Sequence, residues 1–182
     1  EISQIDLEAW GNNIGYVSQD IFLMNDTVAN NIKFYRDDIS QEDIVAATKM
    51  SNIYDFIESL PEGFSTVIGE RGILLSNGQR QRIVLARILS KKPQIIILDE
   101  ATSALDNETE VFVQKAIESL KGKITIIVIA HRLTTVYNVD NIYALKDGAV
   151  IESGQPQALL KDKNSYFYKM FNINKEEFKK YV

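Results

Sequence analysis

Two neighbouring carboxylates follow a short apolar run and form the strongest chemical signal in the sequence. The run IIIL at 95–98 leads directly into Asp99 and Glu100. A continuous apolar run of this length is typical of a strand buried on both faces of a parallel sheet. Because open α/β sheets bind ligands at the carboxyl ends of their strands, acids at this point are candidates for chemistry. The competing interpretation is that both acids merely begin a solvated loop.

The two acids suit different roles in phosphate chemistry. An Asp at the end of a strand can hold Mg²⁺, which binds a few carboxylates together with phosphate oxygens. The next residue, Glu100, alternates to the other side of the strand end and can polarise a water for attack on phosphorus. The pair therefore predicts a magnesium site at Asp99 beside a general base at Glu100.

Two further polar side chains follow apolar runs that predict strands. Gln19 comes after residues 14–17, and His131, the only histidine, comes after residues 124–129. If the strands at 95–99 and 124–129 are neighbours, the imidazole reaches the same sheet edge as Glu100 and can contact a phosphate and the attacking water. The amide of Gln19 can bind Mg²⁺ or orient water. The alternative for His131 is a capping or loop role, and the alternative for Gln19 is a simply solvated side chain.

A polar stretch, LSNGQ, opens a helix predicted over 76–90. Ser76 with Gln79 forms the pattern of a capping box. The same stretch is a candidate anion site, since Gly78 allows close backbone approach and the helix end is positive. Three arginines add positive charge: Arg80, Arg82 and Arg87. Read alone, the stretch fits a well-capped helix and an anion site equally well.

The order of predicted elements indicates an α/β fold. Strands at 14–17, 95–99 and 123–129 alternate with helices, and 142–151 is typical of a hairpin. Residues 1–18 otherwise look extended, and 64–74 looks like an extended loop. The run 40–90 is mainly helical, with a capping box at Ser40 and Asp43. This run predicts a second lobe inserted between elements of the core.

Composition limits the classes of partner and site. The chain has 182 residues, with 45% hydrophobic and 25% charged residues, which is ordinary for a globular protein. A net charge of -5 argues against nucleic acid as the main partner. The lack of cysteine excludes disulfides and thiolate metal sites. Because the sequence starts without methionine inside a predicted strand, we expect a piece of a longer protein.

Five ordered motifs resemble the nucleotide-binding domain of ATP-binding cassette (ABC) transporters. In chain order they are YVSQD around Gln19, LSNGQRQR at 75–82, IIILDE at 95–100, SALD at 103–106 and IAHRL around His131. They are similar to the family's Q-loop, signature, Walker B, D-loop and H-switch, and they cover essentially the whole chain. GERG at 69–72 and TVANNI at 27–32 resemble segments of the exporter type.

The resemblance implies a P-loop NTPase-like (RecA-like) α/β core with a mainly parallel sheet and an inserted α-helical subdomain. The core subdomain is expected at 1–19 and 92–182, and the helical signature subdomain at about 20–91. The sequence contains no G-x-x-x-x-G-K-[ST] motif. The family's P-loop is therefore expected to precede Glu1, which makes the chain an N-terminally truncated, partial cassette.

The resemblance also implies residue roles. Asp99 and Gln19 would bind Mg²⁺, Glu100 would activate water, and His131 would contact the γ-phosphate. Gln19 would also couple the site to the membrane partner. The ATP bound by an opposing cassette would be held by four signature residues: Ser76, Asn77, Gly78 and Gln79.

Two more residues of the resemblance need comment. Asp106 would lie at the interface between the two cassettes. Asn77 stands where the family most often has glycine. Because asparagine tolerates positive φ better than most residues, we expect the loop geometry to survive this change.

The implied function is ATP hydrolysis at composite sites of a head-to-tail pair of cassettes. Coupling helices of a transmembrane domain would convert it to export at the cytoplasmic face of the cell membrane, within an integral membrane transporter. ATP and Mg²⁺ are the expected cofactors, no nucleic-acid partner is expected, and this chain alone is expected to be inactive. The alternatives are a soluble ABC-type ATPase acting on nucleic acid or ribosomes, and a non-catalytic interaction module.

Overall fold

The computed structural model describes residue 4 and residues 6–100, 107–130 and 136–173. Its contacts divide the chain into two compact units, Glu1–Ile129 and Ala130–Val182. Among the described residues, the first unit contains a parallel sheet with helices, and the second contains a hairpin followed by two helices.

Three parallel strands form the sheet of the first unit: β1 (Ile14–Val17), β2 (Ile95–Asp99) and β3 (Thr125–Ile129). β2 lies in the middle, with Ile95 opposite Ile14 of β1 and Asp99 opposite Ile129 of β3. The three carboxyl ends therefore meet at one edge of the sheet. The structure confirms the parallel arrangement that the apolar runs predict.

The strands are less buried than the apolar runs predict. In β2, Ile96 and Leu98 are buried, whereas the alternate residues Ile95, Ile97 and Asp99 are only half-buried. In β3, Ile127 and Ile129 are about half exposed. Within the part of the chain that the structure describes, β3 is an edge strand, so the apolar run at 124–129, which by its composition also predicts a buried strand, is not buried on both faces.

Six helices of the first unit lie in the described ranges: α1 (Leu7–Asn13), α2 (Val28–Lys33), α3 (Gln41–Met50), α4 (Tyr54–Glu58), α5 (Asn77–Leu89) and α6 (Asn107–Ser119). The helix α1 contradicts the extended structure predicted before Ile14. The amide of Trp10 donates to the carbonyl of Asp6 at 2.9 Å, which is a helical bond. Leu7 is 84% exposed, so the apolar alternation there does not reflect a buried strand face.

Local hydrogen bonds fix where these helices begin. The Thr27 hydroxyl accepts from the amide of Asn30 at 3.1 Å at the start of α2. At the start of α3, Ser40 and Asp43 form the predicted capping box. The predicted loop 64–74 is not simply extended, because 3₁₀ turns occupy Gly63–Ser65 and Glu70–Gly72.

The core of the first unit lies where α5 packs against the sheet. Ile83 of α5 and Ile96 of β2 are fully buried. Gly15 of β1 permits the close approach of α5, because a Cβ at this position would collide with the Ile88 side chain. α5 also packs against α2, α3 and α6. Burial of each large aliphatic side chain contributes about 1.5–3 kcal/mol, so this contact anchors α5 to the strands.

The second unit is built around an antiparallel hairpin, β4 (Ile142–Lys146) and β5 (Ala149–Gly154). Asp147 and Gly148 both have positive φ, as the predicted two-residue turn requires. Two helices follow, α7 (Pro156–Leu159) and α8 (Tyr166–Ile173). The Glu152 carboxylate accepts from the amides of Tyr166 and Phe167 at 2.8 and 2.9 Å and so caps α8.

No helix among the described residues has both the length and the apolar character needed to cross a membrane.

Candidate functional site

The backbone conformations of the two adjacent acids differ at the end of β2. Asp99 is the last residue of the strand and still lies opposite Ile129. The amide of Glu100 donates to the carbonyl of Ile129 at 3.0 Å, while its φ of 49° turns the chain away from the strand. A left-handed non-glycine residue costs about 1–2 kcal/mol. Both side chains are half-buried. One sheet edge therefore carries two adjacent carboxylates, of which Asp99 has strand backbone and Glu100 has left-handed backbone.

A tyrosine that the sequence analysis did not single out contacts Asp99. The Tyr16 hydroxyl in β1 donates a 2.7 Å hydrogen bond to Oδ2 of Asp99. This bond, with smaller contributions from burial and from the carboxylate charge, raises the pKa of Tyr16. Tyr16 lies opposite Ile97, so it shares a sheet face with Asp99. Only the strand register reveals this neighbour.

The other predicted members of the sheet-edge site are described only in part. Gln19 is exposed and lies two residues beyond β1, in a bend where the Ser18 hydroxyl donates to the carbonyl of Asp20 at 2.7 Å. His131 and Asp106 lie outside the described residues. The structure therefore brings Asp99 and Glu100 to the edge where β1 and β3 also end.

The predicted capping box at the start of α5 is present. The Ser76 hydroxyl accepts from the amide of Gln79 at 3.3 Å, and the Gln79 side-chain oxygen accepts from the amide of Ser76 at 2.8 Å. Ser76 and Asn77 are exposed, whereas Gly78 is buried. A hydroxyl that accepts one bond still has a proton to donate, so Ser76 can both cap the helix and bind an anion.

Asn77 is accommodated for a different reason from the one predicted. It is the first residue of α5 and does not have positive φ, so its tolerance of left-handed backbone is not used. Its side-chain oxygen accepts a hydrogen bond from the guanidinium of Arg80. Asparagine therefore begins the helix without positive φ, and its side chain is hydrogen-bonded to Arg80 in the next turn.

The three arginines of α5 do not form the cationic patch predicted for the helix start. Arg80 donates to Asn77, and Arg82 donates to the carbonyl of Asn52 at 2.5 Å. Arg87 is only 7% exposed, and burial lowers its pKa to about 10, which still leaves it charged at neutral pH. Its guanidinium carbon lies 4.4 Å from the ring centroid of Phe34. These side chains hold the surrounding backbone instead.

Arg87 and the fully buried Asn31 fix the segment that follows Gln19. Arg87 donates to the carbonyls of Asn31 at 2.7 Å and of Phe22 at 3.0 Å. The Asn31 side chain accepts from the amide of Met24 at 2.8 Å and donates to its carbonyl at 3.1 Å. Buried polar groups need hydrogen-bond partners. Here Arg87 and Asn31 bond to each other and to backbone groups of the segment. This network was not predicted because its members are far apart in sequence.

The described residues suit Mg²⁺ only in company with a phosphate ligand. No group of three or more His, Asp and Glu side chains in the described ranges is arranged around a metal position. Mg²⁺ needs only one or two carboxylates when phosphate oxygens and waters complete its octahedron. Asp99 is the described residue that could supply such a carboxylate, and its Oδ2 accepts the hydrogen bond from Tyr16.

Comparisons with known proteins point to one family. The family described as ABC transporter matches residues 1–103. An ATP-dependent lipid A-core flippase of Chromobacterium violaceum is 49% identical over 165 residues, which cover 91% of this chain and 28% of the flippase. Heavy metal tolerance factor 1 of Caenorhabditis elegans is 49% identical over 153 residues, which cover 84% of this chain and 19% of that protein.

A solved structure leads to the same conclusion. A bacterial Atm1-family ABC exporter with ATP bound has a TM-score of 0.84 and 38% identity to this chain, covering 95% of it and 30% of the exporter chain. The chain thus spans less than a third of the length of these relatives. The likeness confirms the P-loop NTPase-like α/β fold that the motifs imply. This chain belongs to the ABC transporter family.

Proposed function

We propose that the chain is part of the ATP-binding and ATP-hydrolysing domain of an ABC exporter. The observation that carries the proposal is the pair Asp99 and Glu100 at the carboxyl end of the central strand, on the edge where β1 and β3 also end. The flippase and the exporter among its relatives favour transport over the alternatives of a soluble nucleic-acid ATPase and a non-catalytic module.

The residues divide the work as follows. ATP and Mg²⁺, when bound, supply the phosphoryl group and the positive charge that stabilises its transfer. Asp99 would hold the metal, with the Gln19 amide as a further ligand. Glu100 accepts the proton of the attacking water, and His131 contacts the γ-phosphate.

Two kinds of partner complete the proposed site and its output. A second cassette pairs with this one head to tail. The signature residues at 76–79 then contact the ATP bound by the second cassette, and Asp106 lies at the interface between the two. Coupling helices of a transmembrane domain contact this domain at the cytoplasmic face of the membrane. The exposed Ser76 at a capped helix start supports the first contact. The division into a core at 1–19 and 92–182 and a helical subdomain at about 20–91 is part of this proposal.

The test is Glu100→Gln in the exporter polypeptide that we propose contains this sequence. Glutamine keeps the size of the side chain and removes the base, so hydrolysis should fall by about 100-fold or more, while ATP binding and cassette pairing persist. Phosphate release and nucleotide binding are measured on the same preparation.

The control is Glu58→Gln, at an exposed position at the end of α4. It removes the same charge far from the site along the chain and should leave hydrolysis unchanged. Wild-type hydrolysis by the Glu100→Gln protein would show that Glu100 is not the base.

A further inference from the structure

Tyr16 stands out because the roles proposed above leave it unused. Its hydroxyl donates to Oδ2 of Asp99 at 2.7 Å across two strands, from a side chain that is 51% exposed. The register places Tyr16 opposite Ile97, and Asp99 comes two residues later on the same face. The contact therefore follows from strand pairing and not from a surface loop.

A carboxylate that ligates a metal works best when a second group fixes its orientation. Outer-shell hydrogen bonds of this kind hold the ligand in place, and their loss typically weakens metal binding 10- to 100-fold. A carboxylate has two oxygens, so a donor on Oδ2 leaves Oδ1 for the cation. The phenol is neutral and adds no charge that would repel Mg²⁺.

We propose that Tyr16 is a positioning residue that holds Oδ2 of Asp99 and so presents Oδ1 to Mg²⁺. The inference rests on the proposed function, which assigns Asp99 to the metal. Tyr16 itself touches neither the nucleotide nor the metal in this assignment. Its role is to restrict the rotation of one metal ligand.

A purely structural role for this hydrogen bond predicts a different result. The backbone ladder from Ile14 to Val17 already joins β1 to β2. If the phenol only reinforced that pairing, its removal would lower stability without a specific effect on the metal. The two roles are therefore separated by comparing metal affinity with metal-free nucleotide affinity and with the urea midpoint.

The test uses Tyr16→Phe in the same exporter polypeptide, with Mn²⁺ as the paramagnetic probe and AMP-PNP as the nucleotide. Electron paramagnetic resonance gives the Mn²⁺ dissociation constant, which we expect to rise about tenfold. AMP-PNP binding in EDTA and the urea midpoint should match wild type. Tyr35→Phe, at a tyrosine that is 79% exposed in the same unit, is the matched control and should change nothing.

Three outcomes decide the question. An unchanged Mn²⁺ dissociation constant in Tyr16→Phe would overturn the proposal, as would equal losses of metal-free nucleotide binding and of stability. Asp99→Asn separates this failure from failure of the proposed function. If Asp99→Asn keeps wild-type Mn²⁺ affinity, the metal assignment itself is wrong, and the role of Tyr16 is wrong with it.

Discussion

At the scale of single residues, the backbone of Glu100 explains how adjacent acids can have different tasks. Asp99 stays in the ladder with β3, and its carboxylate is held by Tyr16. Glu100 keeps one amide bond to Ile129 but adopts a φ of 49°. Strain retained at a sheet edge is typical of functional positions. Asp99 thus stays in the strand while Glu100 turns out of it, so the two carboxylates can face different surroundings, as the proposed roles of metal ligand and base require.

Arg87 is a buried polar residue whose loss we expect to lower stability substantially. Arg87→Met keeps the apolar stem but leaves the carbonyls of Phe22 and Asn31 without their guanidinium donor. An unsatisfied buried carbonyl, such as that of Asn31, costs about 1–3 kcal/mol, and the part-buried carbonyl of Phe22 costs less, so the free energy of unfolding should fall by about 3 kcal/mol. Urea denaturation of the chain, followed by circular dichroism, measures the change.

The control for Arg87→Met is Asp37→Ala, which breaks the ion pair between Lys33 and a fully exposed Asp37. Surface pairs of this kind contribute little, so no measurable change is expected. Equal midpoints for the two variants would contradict the structural role given to Arg87.

At the scale of elements, α5 joins the candidate signature to the core. Its first residues are exposed, whereas Ile83 and the later apolar residues are buried against the sheet and α2. The capping box at Ser76 belongs to the exposed end. A change at the helix start can therefore alter a surface contact without disturbing the core.

Ser76 and Ser40 offer a matched pair for separating cap from signature. Each serine caps a helix through a capping box and is exposed. Ser76→Ala and Ser40→Ala should each lower the free energy of unfolding by about 1 kcal/mol. Only Ser76→Ala should also lower ATP hydrolysis, and only when two cassettes can pair. The measurements are urea denaturation and phosphate release.

Equal hydrolysis in Ser76→Ala and wild type would remove the composite-site claim. A fall of hydrolysis in Ser40→Ala that matched the fall in Ser76→Ala would instead assign the effect to stability alone.

Elements with local signals were predictable from the sequence, and long-range contacts were not. The cap of α5, the strand β2 and the hairpin turn at Asp147 depend on neighbours in the chain, and the structure has them where predicted. α1 was wrongly predicted as extended, although Asp6 before the helix is a typical N-cap residue. The contact from Tyr16 to Asp99 spans 83 positions, so no local pattern contains it.

At the scale of the whole molecule, the 182 residues supply one wall of the proposed ATP site. They contain the acids and the signature but no P-loop sequence, whose backbone amides and lysine provide most phosphate donors. We therefore expect these 182 residues alone to bind ATP with a dissociation constant weaker than about 1 mM, corresponding to about -4 kcal/mol. Isothermal titration with Mg-ATP measures it. Micromolar affinity would show that the phosphate donors are already present.

The register of the sheet also suggests an order in which the chain folds. β1 pairs with β2 only after the ends of a segment of about 80 residues have met, and closing so long a loop costs entropy before any strand contact repays it. α2, α3 and α5 all lie inside that segment and contact one another. Packing of these helices against one another shortens the effective loop between β1 and β2. The route with the smallest entropy cost therefore assembles the helices before the strands pair. We therefore expect the edge that carries Asp99 and Glu100 to be among the last parts of the first unit to form, since parallel, non-local pairing is intrinsically slow.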